Sequence, residues 1–186
     1  MIVFLDFEAS GLGKHGFPIE VGWAAEDGTE EKHLIRPAPG WEEWEESAET
    51  IHGISRDRLE REGEPHDAVA KRMVEVLTGH DLYASAPSWD GQWLSRLLRA
   101  AGQPRHALRL RDTEEARQVA ALSAMRQAGL NPAEHSGLLV SLLGTLTREA
   151  EDGTPAHRAL DDARRELALW REAKRRTEAA IAGLNT

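Results

Sequence analysis

The 186-residue sequence contains no cysteine, one tyrosine and three phenylalanines. The lack of cysteine excludes disulfide bonds, thiol catalysis and cysteine-based zinc sites, and it is typical of a cytoplasmic protein. No apolar run approaches the ~18 residues that a membrane span requires, so we expect neither a transmembrane segment nor a membrane partner. Met1 leads directly into a strand-like run without a preceding basic segment, and we therefore expect no secretory signal.

Positive charge is also scarce, since 23 Lys and Arg face 32 Asp and Glu and leave a formal net charge of −9. A chain that binds nucleic acid non-specifically is usually basic, so the total charge argues against that class. The charge is uneven, however. Residues 41–49 (WEEWEESAE) carry five Glu and no base, whereas residues 96–117 carry six Arg against three acids. The second stretch is either a solvated charged face or a local basic surface.

The pattern of apolar residues predicts one α/β domain over residues 1–186. Strand-like patterns occur at 1–7, 17–25, 31–37, 80–86 and 107–112. Helical spacing occurs at 41–49, 65–79, 90–101, 113–128, 132–147 and 155–180, where Thr154 is predicted to cap the last helix and Pro155 to open it. Three strands joined by tight turns, followed by alternating strands and helices, predict a mixed sheet covered by helices.

Two carboxylates end the most apolar strand, where MIVFLDFEASGLG places Asp6 and Glu8 one residue apart. Alternate residues of a strand point to the same face, so these side chains repel unless one is protonated or a cation lies between them. Oxygen ligands of this kind suit Mg²⁺ or Mn²⁺. The alternative is a strand end that reaches water, since paired acids are frequent in so acidic a chain.

Two later segments add acidic residues that are open to two interpretations. Asp90, in SWDGQWL, follows the fourth predicted strand, and it is either a further metal ligand or an acid that stabilises a helix N-terminus. In TPAHRALDDAR, His157 precedes Asp162 by five residues, a spacing that also separates His52 from Asp57. This segment is either part of the same site or an acidic helix start with a surface histidine.

Together the acidic candidates carry four negative charges, which two divalent ions would neutralise; they are Asp6, Glu8, Asp90 and Asp162. With His157 before the last acid, their order and spacing resemble the DEDD superfamily of 3′–5′ exonucleases, in its His-containing, DnaQ-like (DEDDh) branch. The resemblance covers residues 1–163. DFEASGLG is similar to the first motif of the family, IEVGWA to its second strand, IHGIS to a helix-end loop and HRALDDA to its third motif.

The resemblance implies an RNase H-like fold of five strands in the order 3-2-1-4-5, with strand 2 antiparallel. It implies two metal ions, Mg²⁺ or Mn²⁺, held by the four carboxylates, with His157 as general base. The implied reaction releases nucleoside monophosphates from the 3′ end of single-stranded DNA or RNA. Contacts with the terminal nucleotide are implied for Ala9, Ser10, Gly11, Leu12, Ile51, His52 and Trp89.

The chain departs from the family pattern in its first and second motifs. The first motif usually has Thr where this chain has Ala9 and Ser10, so a small polar side chain is kept only at Ser10. Ala86 replaces the usual Asn four residues before Asp90, which removes a polar contact with the terminal nucleotide. Trp89 replaces Phe and belongs either to the nucleotide pocket or to the core.

Two other functions remain compatible with these residues. The chain could keep the fold and bind nucleic acid as a scaffold with weak catalysis, or it could hydrolyse very short oligonucleotides and small phosphodiesters. The arginines that are candidates for phosphate contact are Arg96, Arg99, Arg105, Arg109 and Arg111. The sequence leaves open DNA or RNA, substrate length, the metal, a partner polymerase and the oligomeric state, a homodimer included.

Overall fold

The computed structural model describes residues 1–154 and 156–184. Among these residues six strands form one sheet, with bounds β1 Ile2–Ala9, β2 Pro18–Ala25, β3 Glu30–Arg36, β4 Glu64–Pro65, β5 Asp81–Ala84 and β6 Leu110–Asp112. Seven helices lie around the sheet within the same ranges, with bounds α1 Glu46–His52, α2 Arg56–Glu62, α3 His66–Leu77, α4 Pro87–Ala100, α5 Thr113–Gln127, α6 Ser136–Asp152 and α7 Ala159–Leu184. In this part of the chain every helix is too short or too polar to cross a bilayer.

The strands lie in the order β4-β3-β2-β1-β5-β6. β2 is antiparallel to both β1 and β3, whereas β5 is parallel to β1 and to β6. This confirms the predicted α/β class and the predicted order 3-2-1-4-5 of the five longer strands. The predicted strand count is wrong by one, because β4 adds a two-residue edge strand parallel to β3. A strand of two residues carries no detectable periodicity.

The predicted helix at 41–49 is displaced, since α1 begins at Glu46 and ends where Gly53 adopts a left-handed φ of 67°. A glycine with positive φ is a common helix terminator. The sequence analysis also missed α2, which begins after Ser55, whose side chain accepts a hydrogen bond from the Arg58 backbone N–H. This local bond caps the helix start.

The last helix also begins later than predicted, at Ala159 instead of residue 155. His157 has a φ of 53°, which a right-handed helix cannot contain. Thr154 is therefore too far from the first turn to cap it, and Pro155 lies outside the described residues.

Alternate residues of β1 pack on opposite faces of the sheet. Val3, Leu5 and Phe7 belong to the larger apolar cluster, which includes residues of α3 and α4. Phe4 belongs to the cluster that includes Trp170 of α7. By this alternation Asp6 and Glu8 lie on the α7 side of the sheet.

Candidate metal centre

Three of the predicted carboxylates converge at the end of β1. Asp6 and Glu8 lie on the face that α7 covers, and Asp162 lies in the first turn of that helix. One carboxylate oxygen from each of the three residues lies within 4.8 Å of the other two. This separation is suitable for a shared cation, since hard divalent ions bind several carboxylate oxygens at once.

Asp90 reaches the same strand from α4 on the opposite layer. Its side chain is buried, with 3% of the residue exposed. Its Oδ1 accepts a hydrogen bond of 3.3 Å from the Phe7 backbone N–H, while its Oδ2 is buried without a partner among the described residues. A buried oxygen without a donor is unfavourable, and a bound cation would satisfy it.

Three of these carboxyl groups, Asp6, Glu8 and Asp90, have raised pKa values when no cation is present. Burial raises the pKa of Asp6 well above its usual value, and the charges of Asp90, Glu8 and Asp162 raise it further. Burial, followed by the charge of Asp162, raises the pKa of Glu8 to about 8. Burial raises the pKa of Asp90 to about 7 against the opposing effect of backbone hydrogen bonds. A divalent cation would remove this cost of ionisation, so the donor set fits hard cations such as Mg²⁺ or Mn²⁺.

His157 lies in the segment that leads into α7, and Asp162 shapes that segment. The Asp162 carboxylate accepts the backbone N–H of Ala156 at 2.9 Å through Oδ1 and that of Arg158 at 3.2 Å through Oδ2. His157 lies between these two donors with the left-handed φ described above. A cavity of about 600 Å³ is lined by His157 together with Asp6, Glu8 and Asp162. We refer to this cavity as the carboxylate pocket.

The sequence analysis missed an ion pair next to the pocket, between the buried Glu20 and the partly exposed Arg158. Glu20 of β2 is fully buried and lies opposite Glu8 in the strand register. Its Oε2 accepts from Arg158 Nε at 3.1 Å and from the Ala159 backbone N–H at 3.0 Å, and its Oε1 accepts from Arg158 Nη2 at 2.6 Å. A charged residue inside an otherwise apolar strand requires a partner. This requirement was the one sign of the ion pair in the sequence. The sequence does not indicate that this partner is Arg158, because the two residues lie 138 positions apart.

A glycine allows α7 to approach the sheet at the site. Gly22 lies opposite Asp6 in the β1–β2 register. A Cβ atom at this position would lie 2.3 Å from the backbone N of Leu160, a distance at which the helix would have to move. Gly22 therefore permits the packing that carries Asp162 to Asp6.

The predicted substrate contacts at 9–12 divide into packed and exposed residues. Ala9 lies at an irregularity in the β1–β2 register. Ser10 is buried and its Oγ accepts the Phe17 backbone N–H at 3.1 Å, so its side chain holds the turn. A Cβ at Gly11 would lie 2.3 Å from the Glu45 carboxyl carbon. Leu12 extends outward and is 63% exposed.

The other predicted contacts also differ in exposure. Ile51 is 57% exposed and Trp89 is 41% exposed, with the Trp89 ring stacked on Trp93. His52 is buried instead, and its Nδ1 accepts the Ile54 backbone N–H at 3.0 Å. Burial lowers the pKa of His52, so the ring favours its neutral form.

Comparison with known structures identifies the class of fold. In sequence, no family model matches the chain, and no curated protein matches it. In structure, the chain is similar to E. coli exonuclease I. The zinc-bound form of its complex with single-stranded DNA matches with a TM-score of 0.65 at 19% identity, over 94% of this chain and 40% of that one. The complex with a dT13 oligonucleotide matches with a TM-score of 0.64 at 19% identity, over 100% of this chain and 43% of that one.

The similarity establishes that the chain has the RNase H-like α/β fold found in exonuclease I. The chain spans less than half the length of these exonuclease I structures.

Proposed function

We propose that the chain is a metal-dependent 3′–5′ exonuclease of the DEDDh type that acts on single-stranded nucleic acid and releases nucleoside monophosphates. The observation that carries this proposal is the convergence of Asp6, Glu8 and Asp162 within 4.8 Å. The fold supports it, because solved structures of exonuclease I with this fold include complexes with single-stranded DNA.

The four carboxylates would hold two divalent ions, and their all-oxygen donor set favours Mg²⁺ or Mn²⁺. Asp90 fits this role through its unpartnered Oδ2. Bound ions would supply Lewis-acid chemistry at the phosphodiester and at the attacking water.

His157 would act as the general base. It lines the carboxylate pocket, where an imidazole nitrogen can take the proton of the attacking water. Histidine suits this role because its side chain exchanges protons near neutral pH.

The exposed apolar side chains of Leu12, Ile51 and Trp89 would contact the terminal nucleotide. Stacking of a base on such a face contributes roughly 1–3 kcal/mol. Ala9, Ser10 and Gly11 would shape the turn that holds Leu12 in place. The buried His52 would hold the neighbouring Ile51 in position to contact the nucleotide.

The proposal is tested by incubating the full chain with single-stranded DNA, single-stranded RNA and dinucleotides in Mg²⁺, Mn²⁺ or EDTA. We expect mononucleotide release from at least one polymer, dependent on the metal and lost in Asp6→Asn. The matched control is Asp67→Asn, which neutralises an exposed acid in the first turn of α3. Binding without degradation would favour a scaffold, and turnover of dinucleotides alone would favour a hydrolase of short substrates.

A further inference from the structure

A second depression, of about 510 Å³, lies along α4. Its polar lining comes from α4 and from the segment before β6, and it includes Ser88, Gly91, Gln92, Ser95, Arg105 and Arg109. Within the described residues no acidic side chain lines it. This is unusual for a chain with 32 acids and a net charge of −9. We refer to this depression as the α4 groove.

Three of the five arginines named as candidate phosphate contacts are occupied by other groups. Arg111 pairs with Asp81 at 2.9 Å and with Glu115 at 2.6 Å. Arg99 donates to the carbonyl of Ser95 in the preceding turn. The Arg96 guanidinium lies over the Trp41 ring, 5.6 Å from its centroid. These side chains already have favourable partners.

The remaining two arginines line the α4 groove and have no acidic partner. Arg109 is exposed and makes no hydrogen bond or ion pair with the part of the chain that the structure describes. Arg105 donates from Nε to the ring of His106 at 2.7 Å. Both guanidinium groups therefore remain available to an anion.

The α4 groove and the carboxylate pocket are lined by neighbouring positions of the same two segments. Ser85 and Asp112 line the pocket, whereas Ser88 and Leu110 line the groove. Ser85 and Ser88 are three positions apart around the start of α4, and Leu110 and Asp112 are two positions apart in β6. A strand whose end lies in the pocket would have the arginines of the groove at neighbouring positions of these two segments.

We infer that the α4 groove binds the phosphodiester backbone of the substrate, on the 5′ side of the nucleotide being removed. This inference rests on the proposed function. Arginine, serine and glutamine side chains are the groups that commonly contact phosphate oxygens, and such contacts are independent of sequence. The groove therefore makes a strand of several nucleotides a better substrate than a dinucleotide.

Gly91 provides a way to block the groove without disturbing the fold. A Cβ at this position would meet no atom within 4 Å, so Gly91→Glu adds a negative charge to the groove from an unstrained position. Gly137→Glu in α6 is the matched control, because a Cβ there also meets no atom within 4 Å and the residue lines neither cavity. Arg109→Gln removes one positive charge.

The experiment measures binding of 5′-fluorescein dT12 by anisotropy in EDTA, with unlabelled dT12 and dT2 as competitors. We expect Gly91→Glu to weaken dT12 binding about tenfold or more relative to Gly137→Glu, with a smaller effect on dT2. We expect Arg109→Gln to reduce the slope of log K against log salt concentration by about 1, because one phosphate contact is lost.

The inference is overturned if Gly91→Glu and Arg109→Gln bind dT12 as Gly137→Glu does, or if dT2 and dT12 are affected equally. It is also overturned if the unmodified protein binds dT12 no more tightly than dT2, even when dinucleotides are hydrolysed. Groove-dependent binding without cleavage in Mg²⁺ or Mn²⁺ would instead contradict the proposed function and leave the groove assignment intact.

Discussion

Asp6 and Glu8 lie at the end of a strand whose other residues are almost all apolar, and both side chains are half-buried. The fold raises the pKa of both groups, so the protein without a cation holds protons that the same acids release in the unfolded chain. A fold tolerates the free-energy cost of burying such acids when the ionised carboxylates bind a ligand.

Stability should therefore depend on pH in a direction set by these carboxyl groups. The pKa of Glu8 rises from an ordinary 4.5 to about 8 in the folded protein. Below pH 4.5 Glu8 is protonated in both the folded and the unfolded chain, and it does not destabilise the fold. As pH rises from 4.5 through 8, the unfolded chain loses this proton more readily than the folded chain, so the free energy of unfolding falls. In EDTA we expect Glu8→Gln to raise the thermal midpoint relative to the unmodified protein, by more at pH 8 than at pH 5. Each 1 kcal/mol corresponds to about 2–4 °C in a domain of this size.

Added Mn²⁺ should raise the thermal midpoint of the unmodified protein, because the ion binds the ionised carboxylates. We expect the midpoint to rise more at pH 8 than at pH 5, and to rise little in Glu8→Gln. Differential scanning fluorimetry measures both effects, and Glu42→Gln at an exposed position is the control. Equal midpoints for Glu8→Gln and Glu42→Gln at pH 8 would show that Glu8 is not a buried, protonated acid.

Replacement of His157 separates proton transfer from metal binding. We expect His157→Ala to lower kcat by roughly 10²–10⁴-fold at saturating Mg²⁺, the usual contribution of a general base. Asp6→Asn should lower kcat further, because a carboxylate proposed to bind the metal is lost. Isothermal titration with Mn²⁺ should show weaker binding only in Asp6→Asn. Full turnover in His157→Ala would refute the assignment of the base.

At the scale of elements, the site depends on how the segment before α7 is held against β2. Glu20 anchors Arg158 and the Ala159 backbone by three hydrogen bonds. His157 directly precedes Arg158 and has a positive φ that is costly for a residue with a side chain. The ion pair offsets part of this cost, so we assign Glu20 as a positioning residue for His157.

This assignment predicts that Glu20 acts through His157. We expect Glu20→Gln to lower kcat about tenfold with little change in KM or in Mn²⁺ affinity, and the effect should vanish when it is combined with His157→Ala. Activity is measured well below the thermal midpoint of each variant, since loss of the hydrogen bonds between Glu20 and Arg158 also destabilises the fold. If the two substitutions lower kcat independently, so that their effects multiply in the double variant, Glu20 has a general structural role instead.

The elements that sequence analysis placed well are those with a long apolar pattern. β1 was recognisable from its β-branched and aromatic run, β2 from its alternation and α3 from its helical spacing. α2 has seven residues and begins at a side-chain cap, so a local hydrogen bond decides its position. The late start of α7 follows from the backbone conformation of His157, which periodicity cannot indicate.

For the whole molecule, the apolar pattern predicted a mixed sheet covered by helices, and the family resemblance implied the order of its strands. The candidate site residues Asp6, Glu8, Asp90 and Asp162 were predicted through the same resemblance, because each acid taken alone has an ordinary structural explanation. The supporting contacts were not, because the pairing of Glu20 with Arg158 and the close approach at Gly22 depend on residues more than 130 positions apart. Such contacts exist only after the sheet and α7 are packed together.

We propose that these elements assemble an exonuclease that removes nucleotides from the 3′ end. The most direct test is degradation of a 5′-labelled single-stranded 20-mer in Mn²⁺, beside the same oligonucleotide with a 3′-terminal phosphorothioate and beside Asp6→Asn. We predict a ladder that shortens one nucleotide at a time from the 3′ end, slowed by the phosphorothioate and absent in Asp6→Asn. Immediate release of labelled mononucleotide, internal cleavage, or equal activity in Asp6→Asn would contradict the account.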